Sequence, residues 1–216
     1  MAHKSSDGGR LSRLPPVAPG GEAERLLRVI IETPRGSRNK FDYDAELGLF
    51  KLGGVLPAGA VFPFDFGFVP STTGGDGDPL DVLVLMDEAA FAGCLVEARL
   101  LGVIEAEQTE RDGETTRNDR LVAMAAAARN HKDVHSLAEL GENLLDEIEH
   151  FFVSYNEVKG KKFVPLGRFG AERAWQLIEE GARRFRAGQR KVAAKKPRQR
   201  SAAKKRSAGG AAKKRR

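Results

Sequence analysis

Three carboxylates fall within six residues at Asp76-Gly77-Asp78-Pro79-Leu80-Asp81, directly before the apolar run Val82-Leu83-Val84-Leu85. On a Gly/Pro turn at the mouth of a buried strand, such charges repel one another and cost stability unless a cation sits among them. Oxygen-only ligands suit a hard cation such as Mg²⁺, which keeps several waters and bridges protein carboxylates to substrate phosphates. A solvated turn uses the same residue types, because Asp, Gly and Pro are all common turn formers. A calcium EF-hand loop does not fit: its sixth position needs Gly and holds Asp81 here, and a strand-like run replaces the rest of the loop. A second cluster, Arg35-Gly36-Ser37-Arg38-Asn39-Lys40, puts three cations on a Gly/Ser loop. It suits phosphate oxygens through charge and backbone N–H groups, and it reads equally as a basic hairpin loop. Metal-binding acids and phosphate-binding cations in one small domain are the two halves of a phosphoryl-transfer site.

The elements that must position these residues are short. Apolar stretches broken by turn residues run from Leu26 to Glu32, Lys40 to Asp44, Leu49 to Leu52, Ala60 to Phe68, Leu80 to Leu85, Cys94 to Glu107 and Arg120 to Ala127, which predicts a β-rich body. Phe62, Phe64, Phe66 and Phe68 follow the two-residue period of a strand and share one face, expected to be core. After residue 135 the period becomes helical, through Leu137, Leu140, Leu144, Ile148, Phe151, Phe152 and Tyr155. A second helical pattern starts at Ala171 and includes Ala174, Trp175, Ile178, Ala182 and Phe185. Strands first and helices second argue against a doubly wound fold and for a small barrel or sheet with helices packed on it.

Charge is segregated along the 216 residues. Residues 1–182 carry all 30 acids and 20 basic residues, a net −10, whereas residues 183–216 carry 16 basic residues and no acid, a net +16. The body is long enough for one domain with a sizeable core and too short for two ordinary ones. No apolar run approaches the roughly 20 residues of a membrane span. The N-terminus lacks the apolar stretch of a secretory signal, and the lone Cys94 fits a reducing cytosol, so a cytoplasmic location is expected. The expected division is a flexible leader at 1–24, one domain at 25–186 and a disordered basic tail at 187–216. The tail cycles Ala-Ala-Lys-Lys motifs like those of linker-histone-like tails, which suits non-specific binding to nucleic-acid phosphates; a solubilising tail folded back on the acidic body is the alternative.

Longer motifs carry a resemblance. Val29-Ile30-Ile31-Glu32-Thr33-Pro34-Arg35-Gly36-Ser37-Arg38-Asn39-Lys40-Phe41-Asp42-Tyr43-Asp44, then Phe62-Pro63-Phe64-Asp65-Phe66-Gly67-Phe68-Val69-Pro70, then Asp76 through Val84 resemble the soluble family I inorganic pyrophosphatases. Gly93 to Arg99, Gly102-Val103-Ile104, Leu121-Val122-Ala123 and His150-Phe151-Phe152 leading to Tyr155 continue the match in order, over residues 26–182. The resemblance implies a predominantly β, α+β fold: a five-stranded OB-like barrel with two flanking C-terminal α-helices. It implies Mg²⁺-dependent hydrolysis of inorganic pyrophosphate to two phosphates, and self-association. Asp76, Asp78 and Asp81 would be metal ligands, with Asp78 also the general base on a metal-activated water. Glu32 would support that network, and Lys40, Arg120 and Tyr155 would bind phosphate. Glu107 and Asp119 would be further metal ligands.

Departures from the family pattern cluster in the same regions. Asp42 stands for a glutamate, Gly54 for a phosphate-binding arginine, Phe62 and Phe66 for tyrosines, and Asn156 for a lysine. Near the distal metal ligands, Glu107 or Gln108 aligns with one aspartate and Asn118 with another, Asp119 being the neighbouring acid. Each charge-assisted bond to phosphate is worth about 1.5–3 kcal/mol, so two uncompensated losses would cost about two to four powers of ten. Arg35, Arg38, Lys51, Arg117 or Lys159 could compensate. Without compensation the chain would be a binding protein of pyrophosphatase fold, or a hydrolase of another phosphoanhydride. His131 and His135 read as solvated surface, His150 as structural, Trp175 as core, and Cys94 as buried and inert.

Overall fold

In a computed structural model of the chain, residues 11–19 and 25–195 are described. Among the described residues nine strands form, in the order β1 (Leu27–Thr33), β2 (Asn39–Asp44), β3 (Leu49–Val55), β4 (Asp65–Phe68), β5 (Asp81–Leu85), β6 (Leu95–Thr109), β7 (Thr115–Arg117), β8 (Arg120–Ala125) and β9 (Lys162–Gly170). Helix α1 spans Glu142–Val158 and α2 spans Ala171–Lys195.

Strand β1 pairs with β4, β4 with β5, β5 with β8, β8 with β6, and the far part of β6 returns to β1. Those five strands close on themselves, which removes the open edges that a sheet otherwise has to protect. All pairings are antiparallel except β5 with β8. β2 and β3 form a separate hairpin, and β7 and β9 extend the sheet from β6. The predicted barrel with two helices is therefore present.

The apolar runs read as strands because both of their faces are covered. Val82 and Val84 join Val29, Ile31, Leu121 and Ala123 in a cluster that includes Ala174, Leu177 and Ile178 of α2. Leu83 and Leu85 join Leu101, Ile104, Val122 and Met124 in a second cluster under Leu145, Ile148 and Phe152 of α1. The helical spacing read from Leu137 resolves into a short 3₁₀ turn at Leu137–Leu140 and then α1, which starts after Gly141.

Several expectations need correction. β9 lies between the two helices, so strands do not all precede helices. Its sequence conceals it: Pro165 cannot donate to a ladder, and it is accommodated where the pairing with β6 shifts between Glu105 and Ala106. Only Phe66 and Phe68 of the phenylalanine series lie in a strand, although Phe62 is buried as well. Residues 11–19 are not a loose leader: Leu11–Arg13 forms a 3₁₀ turn, Val17 bridges Leu27, and the Ser71 amide donates to the Ser12 carbonyl at 2.8 Å. α2 runs through residues 187–195, the first part of the expected tail; the remainder lies outside the described residues. Cys94 and Trp175 are half-buried, with the Arg25 guanidinium 4.0 Å from the centre of the Trp175 ring.

Gly67 is the tightest approach in the closed ring, since an added Cβ would lie 2.1 Å from the Ile30 carbonyl oxygen. The clash is with backbone and cannot be relieved by a rotamer. Gly67→Ala is expected to cost about 3 kcal/mol, read as a fall of roughly 6–12 °C in Tm. Gly54→Ala, where an added Cβ meets nothing within 4 Å, is expected to change Tm by less than about 2 °C.

Candidate active site

The mouth of the barrel opens into a cleft of about 630 Å³. Glu32, Lys40, Asp76, Asp78, Asp81, Arg120 and Tyr155 all line it, although they come from β1, β2, the loop before β5, β5, β8 and α1. Irregular pairing aims one of them. β1 shifts register between Ile31 and Thr33, so Glu32 sits in the irregularity, whereas beside Lys40 the extra residue is Gly53 of β3. Such bulges turn a side chain away from the regular alternation. The parallel register of β5 with β8 sets Asp81 opposite Arg120, and Arg120 Nη1 donates to Asp81 Oδ2 at 2.6 Å.

Lys40 is buried among acceptors. Its Nζ donates to Asp42 Oδ1 at 2.7 Å, to the Phe41 carbonyl at 2.7 Å and to Glu32 Oε2 at 3.1 Å. Burial alone would lower its pKa, but Glu32 and Asp42 outweigh that and hold it above the usual lysine value. Burial pushes the Glu32 carboxyl up despite Lys40 and the Tyr43 amide, which donates to Glu32 Oε1 at 2.7 Å. Burial likewise raises Asp81, and the charges of Arg120 and Lys40 offset this only in part. Asp76 stands at the exposed rim, where partial desolvation, then the negative charge of Asp81, pushes its carboxyl up to about 6.

Strand alternation decides which residues of β6 reach the cleft: Gln108 lines it and Glu107 does not. The connection between β7 and β8 supplies Asn118, which lines the cleft, and Asp119, which lines an adjoining cavity together with Asp76, Asp81 and Asn118. Asp119 accepts from the Ala106 amide at 3.0 Å and from Arg117 at 2.8 Å, in a network where Arg117 and Arg173 both bind Glu105. The wall facing the aspartates is a chain of neutral amides between charged ends. Lys161 pairs with Glu110, Gln108 Nε2 donates to Glu110 at 2.6 Å, Asn118 Nδ2 donates to Gln108 Oε1 at 3.2 Å, and Arg120 donates to Asn118 Oδ1.

The vacant position at Asn156 is covered from one turn further along α1. Asn156 Nδ2 turns back to the Phe152 carbonyl, while Lys159, at the helix C-terminus, lines the cleft and donates to the Tyr155 hydroxyl. Burial, then the charge of Lys40, lowers the Lys159 pKa. The other proposed compensators are engaged elsewhere: Arg35 with the Met86 and Asp87 carbonyls, Arg38 with the Leu56 carbonyl, Lys51 with Asp44, and Arg117 with Glu105. Lys161 and Glu110 are cleft residues that sequence reasoning missed. The signal for Lys161 was the Lys159-Gly160-Lys161-Lys162 run directly after the helix.

The donor set on the aspartate side is carboxylate only, as a hard divalent cation requires. Among the described residues no three acidic, histidine or cysteine side chains converge as ligands of one ion. Mg²⁺ needs no such cage, because it uses one or two protein carboxylates with water and phosphate oxygens. Asp76, Asp78 and Asp81 fit that demand; the amide wall, being neutral and already hydrogen-bonded, does not.

Clustered carboxylates facing lysines, an arginine and a tyrosine across the mouth of a closed β-barrel define the class: a phosphoryl-transfer hydrolase. The family described as Inorganic pyrophosphatase matches residues 29–186. An inorganic pyrophosphatase of Halalkalibacterium halodurans is 38% identical over 162 residues, 75% of this chain and 96% of its own length. One from Synechocystis is 35% identical over 176 residues, 82% of this chain and 99% of that protein. The crystal structure of the inorganic pyrophosphatase from Thermus thermophilus superposes with a TM-score of 0.72 at 33% identity, covering 82% of this chain and 98% of that one. The chain belongs to the inorganic pyrophosphatase family.

Two outcomes follow for cation binding. Asp76 holds its proton in the empty cleft below about pH 6, so a cation must displace it there. Because the folded pKa lies above the usual value of 3.8, ionising Asp76 destabilises the cation-free fold as pH rises from about 4 to about 6. Mg²⁺ should therefore raise Tm more at pH 7 than at pH 5, and calorimetry in buffers of different ionisation enthalpy should detect proton release at pH 5. Asn118→Asp, which sets a carboxylate where the amide wall stood, is expected to add Mn²⁺ binding capacity in equilibrium titrations read by electron paramagnetic resonance. An unchanged Mn²⁺ count would show that the amide does not limit cation binding.

Proposed function

We propose that this chain hydrolyses inorganic pyrophosphate to two phosphates, with Mg²⁺ held by Asp76, Asp78 and Asp81. The observation that carries the reading is the convergence of these acids with Lys40, Arg120, Tyr155 and Lys159 on one cleft. A bound Mg²⁺ supplies acidification of the attacking water and neutralises charge on the phosphates. Asp78, at the exposed end of the acidic loop, takes the proton of that water. Lys40 and Arg120 donate to phosphate oxygens, and Arg120 brings a buried Nε that has no partner among the described residues. Glu32 holds the Lys40 ammonium in place, and Lys159 supplies the cation that Asn156 cannot. The apolar rings of Phe62 and Phe66 line the cleft without adding hydroxyls, so phosphate recognition falls to these cations and Tyr155.

The site belongs to a protein that acts in the cytoplasm and self-associates. No helix among the described residues is long and apolar enough to cross a membrane. The basic segment beyond α2 adds electrostatic affinity for nucleic acid.

Phosphate release from pyrophosphate with Mg²⁺ tests the catalytic reading. Asp78→Asn is expected to lower kcat by about 10²–10⁴-fold. Lys159→Ala should lose roughly 10–100-fold in kcat/KM, the value of one charge-assisted bond to phosphate. Equal rates for the intact protein and Asp78→Asn would sink the reading. For the tail, removing residues 196–216 is expected to abolish retention of DNA at low salt while leaving pyrophosphate hydrolysis intact. Retention surviving that truncation would assign DNA binding to the body.

A further inference from the structure

A second, apolar cavity of about 120 Å³ opens beside the cleft. Lys40, Tyr155 and Lys159 line both spaces, whereas Asp76, Asp78 and Asp81 line only the larger one. The three cation and hydroxyl donors thus stand at the border between the aspartates and the apolar chamber. Beyond them the chamber is walled by Gly54, Val55, Leu56, Pro57 and Ala60 on the β3 side, and by Phe151 and Val158 of α1. Val55 and Val158 are 58% and 65% exposed, so the wall is presented to solvent and not collapsed on itself. Gly54 lines the chamber with a backbone ordinary for any residue, and an added Cβ there would meet nothing within 4 Å, so a side chain at 54 has room to grow.

Inorganic pyrophosphate has no apolar part to place there. We infer that the cleft also accepts monosubstituted diphosphates, with the apolar substituent in the Gly54 chamber and the two phosphates running past Lys40, Tyr155 and Lys159 toward the aspartates. The volume is near that of a chamber that takes a benzene-sized group, so a short alkyl chain or a single small ring fits and a larger one protrudes to solvent. In the reaction the water oxygen bonds to the terminal, unsubstituted phosphorus. The bond from that phosphorus to the bridging oxygen breaks, and the organic monophosphate leaves with the electron pair. The water proton passes to Asp78, and the second product is inorganic phosphate. This inference rests on the pyrophosphatase reading for its chemistry, but the chamber contributes selectivity that reading does not require.

The test compares n-pentyl diphosphate, methyl diphosphate and inorganic pyrophosphate as sources of phosphate in the intact protein, Gly54→Val and Gly54→Arg. Each buried methylene is worth up to about fourfold in affinity, less in an open chamber, so pentyl should exceed methyl diphosphate by at least about tenfold in kcat/KM. Both substitutions fill the chamber without backbone strain and should bring that ratio to within about twofold of unity, while Gly54→Val keeps its hydrolysis of pyrophosphate. Equal use of pentyl and methyl diphosphate by the intact protein overturns the inference, as does a ratio that survives both substitutions. If a second copy of the chain covers the chamber, the ratio is near unity and Gly54→Val changes the sedimentation coefficient, which also overturns it. Pyrophosphate hydrolysis without a pentyl preference fails this inference alone. Pentyl diphosphate hydrolysis without pyrophosphate hydrolysis fails the parent reading alone. If neither is hydrolysed, calorimetric binding of pentyl against methyl diphosphate decides, and equal affinity overturns the inference.

Discussion

Carboxylates crowd the mouth of this barrel, and crowding like charges in a partly dry space is unfavourable unless cations are packed among them. Lys40 and Arg120 meet that need from inside the fold. Lys40 is buried between Glu32 and Asp42, and Arg120, buried against the rings of Phe152 and Phe163, reaches Asp81. Much of the local architecture serves these contacts: the irregularity at Glu32 aims its side chain, and the parallel register of β5 with β8 joins Asp81 to Arg120. The balance is incomplete, since Glu32, Asp76 and Asp81 all remain above the ordinary carboxyl range. Burial out of water is the main cause and like-charge repulsion the lesser one, and a divalent cation among the carboxylates would offset both.

The two long walls of the cleft do different work. The aspartate side presents oxygens with few internal partners. The side formed by β6 and the β7–β8 connection presents Gln108 and Asn118, whose amides bond to one another and tie Lys161 and Glu110 to Arg120. A neutral wall of this kind orients cations at modest desolvation cost, because no isolated charge is buried in it. Nearby, Glu105 and Asp119 join a network with Arg117 and Arg173 that borders an adjoining cavity shared with Asp76 and Asp81.

Loss of a cation at one position need not empty the site. In a helix, residues three and four apart share a face, so Lys159 reaches Tyr155 from the next turn, and its place at the C-terminus of α1 is favoured by the helix dipole. The other loss, at Gly54, leaves a largely apolar chamber that the same Lys159 borders together with Lys40 and Tyr155.

The strands from Leu27 to Ala125 other than β7, both helices, and the gathering of acids and cations were legible in the sequence, because apolar periodicity and charged turn motifs are local signals. β9 was hidden by Pro165 and by glycines at 167 and 170, and the ordering of residues 11–19 depends on contacts with Leu27 and Ser71 that are distant in sequence. The sequence by itself determined that a barrel-forming chain carries Asp76, Asp78, Asp81, Glu32, Lys40, Arg120 and Tyr155 in the motifs of a pyrophosphatase. Only the tertiary structure decided that Gln108 and not Glu107 faces the cleft, that Asp119 is held by Arg117 beside a cavity shared with Asp76 and Asp81, and that Lys159 stands between the cleft and the Gly54 chamber. The physical reason is that residue type is written in the chain, but which face of a strand or helix meets the site is settled by register and packing between segments far apart in it.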